Sequence, residues 1–370
     1  MSGERKYNYL IALIRIISMI CIVICHFVQF YKPTEWFYYY MPFGVGAVMI
    51  FTIISGFLYG SKENKKPIKF IFKNCMKIVI PYYLYLIVII GLYFIFARQY
   101  LDFKNVIGSF LFVSVIPGLG HFWYFRVIII CYLITPLLEL FCRLIGKIKW
   151  KFLKSFILLL LPLSLLIIIW ATKNINSQDL VYFTVYILGF NSGFLLMREN
   201  INHKASAIFF GVIGVFSIAT IPVVISSVMN SGEVARFIYE LDEQAFSDNF
   251  NIIVQFALLL GTMGLLFVTV AISDVNEKWE YLGFKKAIVL LSDYSFPLFI
   301  VHHLYIMGPN PFNVADMNPF LGVHVALILS IISAIILKYI SDKIFNLIFK
   351  PGTDKKEQKT VVTVSQEVKA

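Results

Sequence analysis

Ten long apolar runs alternate with short polar segments along the chain, at 9–30, 41–60, 78–97, 123–142, 155–171, 181–197, 206–228, 252–273, 288–307 and 321–346. Each is close to the ~20 residues a helix needs to cross a bilayer. The runs are continuous, whereas barrel strands alternate apolar and polar positions. The pattern therefore predicts an all-α polytopic membrane bundle of about ten transmembrane helices. Pro81, Pro136, Pro162, Pro222 and Pro297 fall inside runs, where neighbouring helices satisfy the carbonyls that proline leaves free. No internal repeat or linker divides the pattern. It predicts one membrane-embedded domain over 1–349 and a polar tail over 350–370 that hangs disordered in the cytoplasm.

Composition narrows the class further. The chain is 59% hydrophobic and 14% charged, against about 25% charged in an ordinary soluble domain. So little polar surface could not cover a soluble fold of this length. A soluble enzyme, a disordered chain and a secreted disulfide scaffold are all excluded on that ground.

The net charge of +11 would suit nucleic acid, but its distribution does not. The segments on the side of the N-terminus hold 25 Lys and Arg, and the opposite loops hold 5. That asymmetry predicts both termini in the cytoplasm, basic anchors on a lipid bilayer, a multi-pass protein of the cytoplasmic membrane, and no nucleic-acid partner. Cys21, Cys25, Cys75, Cys131 and Cys142 show neither a disulfide spacing nor a CxxC motif. No His/Cys/Asp cluster has metal-ligand spacing, so no metal is expected. The first apolar run is too long for a signal-peptide core and lacks a small-residue cleavage site, so no cleavable signal is expected.

Apart from Lys338, Asp342 and Lys343 near the end of the last run, four charges lie inside the runs: Arg15, Arg126, Glu139 and Asp293. An ionisable group at the bilayer centre costs about 2.5–3.5 kcal/mol, which makes each a functional candidate. Arg126 and Glu139 lie near the ends of their run, where snorkelling accounts for both. Ser292-Asp293 resembles a helix N-cap. Arg15 differs because His26 follows eleven residues later, three turns plus about 20°, placing both on one helix face about 16 Å apart along the axis. A polar path through the bundle explains the pair. A snorkelling Arg and a hydrogen-bonded His also explain it.

Four motifs recur in order along the chain. They are Arg15 and His26 themselves; Gly44-Val45-Gly46 followed by Phe51-Thr52-Ile53-Ile54-Ser55-Gly56-Phe57-Leu58; Phe122-Trp123-Tyr124-Phe125 with Tyr132 and Pro136; and Ser295-Phe296-Pro297-Leu298-Phe299-Ile300-Val301-His302. Together, from about residue 7 to 346, they resemble the acyltransferase family 3 membrane proteins, which are acyl-CoA-dependent O-acyltransferases of surface polysaccharides. The resemblance is closest to the subgroup acting on intercellular adhesin-type polysaccharides. Thr52 departs from the family pattern, where Phe is usual. Arg126 stands close to a position where some members carry Glu.

The resemblance implies transfer of an acyl group, acetyl foremost, from cytosolic acyl-CoA to hydroxyls of a cell-surface polysaccharide or lipid-linked glycan. It implies no bound cofactor; acyl-CoA, with acetyl-CoA foremost, is the donor substrate. It makes His26 catalytic, as the base for the acceptor hydroxyl or as the acyl carrier. Arg15 is assigned to catalysis and to the donor's carbonyl-rich arm. Ser55, Lys62, Lys65 and Lys66 are assigned to the donor, the lysines to its phosphates. Positive-inside anchoring explains the same lysines, and close helix packing explains Ser55-Gly56. Trp123, Arg126 and His302 are assigned to the acceptor. His303, one step of 100° further round its helix, is expected to point away from that pocket. His121 and Trp123 are expected at the outer mouth of the fourth run, where Trp serves as an interfacial anchor or a sugar-stacking face. A glycan exporter is the alternative function; it would be expected to show repeats and matching broken helices. The oligomeric state is not encoded in these patterns.

Overall fold

The computed structural model describes residues 9–31, 37–63, 66–171, 177–199, 201–230, 243–275, 285–309, 312–314 and 317–349. Lys65 and the tail over 350–370 lie outside the described residues. Among the described residues, ten helices are long and apolar enough to cross a membrane. They are α1 (Tyr9–Tyr31), α2 (Phe37–Gly60), α3 (Pro67–Phe96), α5 (Trp123–Gly146), α6 (Lys151–Ala171), α7 (Ser177–Met197), α8 (His203–Asn230), α9 (Glu243–Val275), α10 (Lys285–Met307) and α11 (Pro319–Ile348). A short helix, α4 (Phe103–Phe110), lies between α3 and α5 and leaves Phe103 and Ile107 exposed. Each predicted apolar run holds one spanning helix. Because their number is even, the start of α1 and the end of α11 share one side, called here the near side.

The basic stretch 61–77 between the second and third apolar runs is mostly helix among its described residues, because α3 starts at Pro67. Proline suits a first helical position, where its missing N–H is not needed. Lysine is a good helix former, so α3 extends beyond its apolar part. Lys69, Lys73 and Lys77 recur every fourth residue and share one face.

Helix α7 lies at the centre: 78% of its spanning window is buried, against 17% for the peripheral α8, which packs on α9. Glycines decide how α2 meets α7. A Cβ on Gly56 would strike the Tyr186 carbonyl oxygen, one on Gly60 that of Phe190, one on Gly189 that of Ile53, and one on Gly193 that of Phe57. The two backbones are thus in direct contact, which only small residues permit. Ser55-Gly56 belongs to this packing seam, and the Ser55 hydroxyl donates to the Phe51 carbonyl of its own helix at 2.8 Å. Leucine at position 189 would force the helices apart. Overpacking of this kind costs typically ~1–3 kcal/mol, so Gly189→Leu is expected to lower the thermal midpoint of the detergent-solubilised protein. An unchanged midpoint would contradict the seam.

Helix α1 divides into two faces. Ile17, Ile20 and Ile24 are exposed, and Met19 and Ile22 are buried. Arg15, Met19, Ile22 and His26 follow helical spacing on the inward face, which packs against α10.

Two intramembrane charges, Glu139 and Asp293, differ from their expected places. Glu139 does not snorkel. It is 4% exposed and accepts hydrogen bonds from Arg143 and Arg198. Arg126 is half-buried and pairs with Asp179 of α7 at 2.6 Å. Asp293 is not an N-cap, since α10 begins at Lys285 and carries Asp293 within it.

Candidate active site

A cavity of about 480 Å³ opens at the far end of the bundle, and His26, Gln29, His121, Trp123, Tyr182 and His303 form much of its wall. Two helices and a turn supply its histidines. His26 comes from the last turns of α1 and His303 from the last turns of α10. His121 comes from the turn Gly120–Phe122 that leads into α5. Because α1 and α10 run from near side to far side and α5 runs back, all three positions meet at one depth.

The histidine rings touch one another. The His26 ring centroid lies 5.3 Å from that of His302 and 4.8 Å from that of His303. His121 stacks on His303 at 4.5 Å and lies 5.3 Å from His302. His303 therefore faces the cavity, contrary to its expected orientation. His302 is fully buried behind the wall, in contact with His26. The helical step of 100° was correct. The placement of α10 against α1 and the 118–121 turn decided which of the two histidines meets open space.

Each ring has one nitrogen committed to an oxygen. His302 Nδ1 donates to the Phe299 carbonyl at 2.9 Å, and His303 Nδ1 donates to the Gly118 carbonyl at 2.6 Å. His121 Nε2 donates to the Ile300 carbonyl at 3.0 Å, and His26 Nδ1 faces Gln29 Oε1 at 3.3 Å. Carbonyl oxygens only accept, so these bonds select the tautomer of each neutral ring. They leave Nε2 of His26, His302 and His303 and Nδ1 of His121 as bare acceptors. The turn supplying the Gly118 carbonyl needs glycine. Gly118 has φ +83°, and a Cβ there would lie 2.9 Å from the Tyr93 hydroxyl and 3.2 Å from Gly308 Cα.

Beside the histidines, Trp123 of α5 packs on Tyr182 of α7 with ring centroids 5.0 Å apart. One turn along each helix lies the Arg126–Asp179 pair. Trp123 is thus part of the cavity wall. Among the described residues, no group of three or more His, Cys, Asp or Glu side chains is arranged to hold a metal ion.

The remaining predicted residues stand apart from this cavity. Arg15 is half-buried in the near half of α1. Its guanidinium donates to Ser295 Oγ at 3.4 Å and sits 6.0 Å from the centre of the Phe51 ring. Ser55 lies one turn beyond Phe51, and Lys62 and Lys66 are exposed at the near side. Between the two groups, the Thr52 hydroxyl donates to the Val48 carbonyl and lies 3.2 Å from the Tyr124 hydroxyl. Tyr124 packs edge-on against Phe299 of the cavity wall.

Sequence reasoning did not assign His121, His303, Gln29 or Tyr182 to the site. A signal existed for the histidines: with odd spans running outward and even spans back, His26, His121 and His303 all fall at far-side ends.

The chain was also compared with known proteins. Residues 8–339 match the acyltransferase 3 family model, whose description is an acyltransferase domain. No curated protein and no solved structure matches the chain.

Proposed function

The chain belongs to the acyltransferase 3 family, and from that membership we propose that it moves an acetyl group from cytosolic acetyl-CoA to a hydroxyl of a cell-surface polysaccharide or its lipid-linked precursor. The protein is a membrane acyltransferase; donor, acceptor and sidedness are the added reading. The observation that carries it is the division of polar groups between the ends of one bundle. A histidine cavity opens at the far end, while Arg15 and the lysine-bearing start of α3 lie toward the near end. The partition of Lys and Arg, 25 against 5, supports a cytoplasmic near side. CoA is cytosolic and its phosphates suit the lysines. The glycan is met at the far side.

In this reading the acceptor oxygen attacks the acyl carbonyl, and a C–O bond forms as the C–S bond breaks. Nε2 of His26 takes the hydroxyl proton and passes it to the departing thiolate, so the products are an ester and a free thiol. Gln29 holds Nδ1–H of His26 and so keeps Nε2 available as the base. A guanidinium suits the carbonyl-rich arm of the donor, because its donor fork is rigid and permanently charged.

The test is mass analysis of the native glycan from wild-type and deletion cells, with transfer of label from acetyl-CoA measured in isolated membranes. Loss of the acetyl substituent together with loss of transfer is expected. Unchanged acetylation with failed glycan export would overturn the reading in favour of an exporter.

Arg15→Lys keeps the charge and loses the fork. A hydrogen bond to a charged group contributes ~1.5–3 kcal/mol, so kcat/KM for the donor is expected to fall about 10–100-fold at equal membrane abundance. Wild-type donor kinetics in Arg15→Ala would remove Arg15 from any role.

A further inference from the structure

The cavity wall is unusual in what it offers a ligand. Among the described residues it carries no Lys, Arg, Asp or Glu. The nearby Arg126 is engaged by Asp179. The histidines of the wall have committed their N–H groups to oxygens of the protein itself: His121 to Ile300, His303 to Gly118 and His26 to Gln29. What remains on each ring is a lone pair. His121 Nδ1 and, just behind the wall, His302 Nε2 are buried and without a hydrogen-bond partner. Buried polar atoms in native proteins are normally paired. Here two such atoms belong to rings that both touch His303.

An array of acceptors selects for donors. Each hydroxyl supplies one O–H to one bare nitrogen. A carboxylate brings only lone pairs and a negative charge, and would be desolvated with no cation on the wall to meet it. The packed Trp123 and Tyr182 rings complement the apolar C–H faces of an uncharged sugar ring. The volume of about 480 Å³ lies within the ~300–1,000 Å³ of small-molecule sites. Resting on the acyl-transfer reading above, we propose that the acceptor is a neutral sugar unit with a second hydroxyl next to the one acylated, and that this second hydroxyl donates to the bare Nε2 of His303. The His26 and His303 rings are in contact, so a hydroxyl held by His303 lies beside the one that His26 deprotonates. Neighbouring ring carbons of a sugar present that spacing. His303 is the substrate-binding residue in this scheme, and His26 alone takes the proton.

The experiment uses the full chain in lipid nanodiscs with labelled acetyl-CoA. The acceptors are p-nitrophenyl β-glucoside, its monodeoxy analogues and p-nitrophenyl β-glucuronide. A site built to hydrogen-bond a hydroxyl strongly rejects the analogue lacking it. Removing the hydroxyl adjacent to the acylated position is therefore expected to lower kcat/KM about a hundredfold, and the glucuronide should not be acylated. His303→Phe should lower transfer to the glucoside to the level of that deoxy analogue, with no further loss when variant and analogue are combined. A merely structural role for His303 would instead give additive losses. If His303→Phe does not insert, the deoxy series on the wild-type protein decides alone. Equal rates for the glucoside and its adjacent-deoxy analogue, or a preference for the glucuronide, would overturn the inference and leave acyl transfer standing. Failure to label any glycoside would overturn the reading of acetyl transfer to a sugar, and this inference with it.

Discussion

Replacement of His26 by Asn is expected to lower glycan acylation by roughly 10²–10⁴-fold, the usual contribution of a positioned general base, while the protein inserts normally and keeps its affinity for acyl-CoA. Asn fills similar space and can bond to Gln29, but it cannot accept and release a proton. Insertion should survive because the inward packing of α1 rests on Met19 and Ile22, both almost fully buried, rather than on a half-buried imidazole. Donor affinity should survive because His26 lines the far-side cavity, and the donor groups of the proposed mechanism lie toward the near side. The two roles open to His26, base and acyl carrier, separate in one measurement. A carrier forms a labelled acyl-protein when acyl-CoA is supplied without acceptor; a base does not. Near-normal acylation in His26→Asn, at equal membrane abundance, would remove His26 from the mechanism.

Glu139→Ala is expected to cause the largest loss of stability among single polar substitutions in the bundle. The carboxylate is buried in α5 and receives Arg143 Nε at 2.8 Å, Arg198 Nη1 at 2.9 Å and Arg198 Nη2 at 3.0 Å. Arg143 also reaches Glu63 at 3.3 Å, at the start of the basic connection between α2 and α3. Beside it, Lys154 of α6 pairs with Glu199. Removing one partner of a buried ion pair costs ~3–5 kcal/mol, because the other charge stays behind unpaired. The Arg198 side chain is 18% exposed and that of Arg143 44%, so both recover some hydration and the lower end, about 3 kcal/mol, is expected. The check is a double-substitution cycle on thermal midpoints in detergent. Glu139→Leu combined with Arg198→Leu should be less damaging than Glu139→Leu alone. Additive losses would show that the ion pair does not couple α5 to α7.

Much of this architecture was legible in the residues alone. Apolar runs of bilayer length can satisfy their backbone groups in lipid only as helices, so the ten spans followed from hydropathy without tertiary information. The basic start of α3 was the exception. Polar helical residues outside the apolar core carry no hydropathy signal, so Lys69, Lys73 and Lys77 fell outside the apolar run at 78–97. Gly56 and Gly60 could be read as small residues suited to packing. That Gly189 and Gly193 complete the same seam required the position of α7.

The site divides in the same way. That Arg15 and His26 share a face is a property of one helix, set by 100° per residue, and both do meet α10. Which partners they find there is a property of several helices. His121 and His303 are 182 positions apart along the chain, and their rings stack because a glycine turn at Gly118 and the packing of α10 bring them together. Likewise, the four intramembrane charges were visible as costs. Arg143 meets Glu139 as an i,i+4 neighbour on α5; only the tertiary structure assigned Arg198 to Glu139 and Asp179 to Arg126. Periodicity along a chain reports the face on which a side chain stands; rotation and depth of packed helices decide what that face meets.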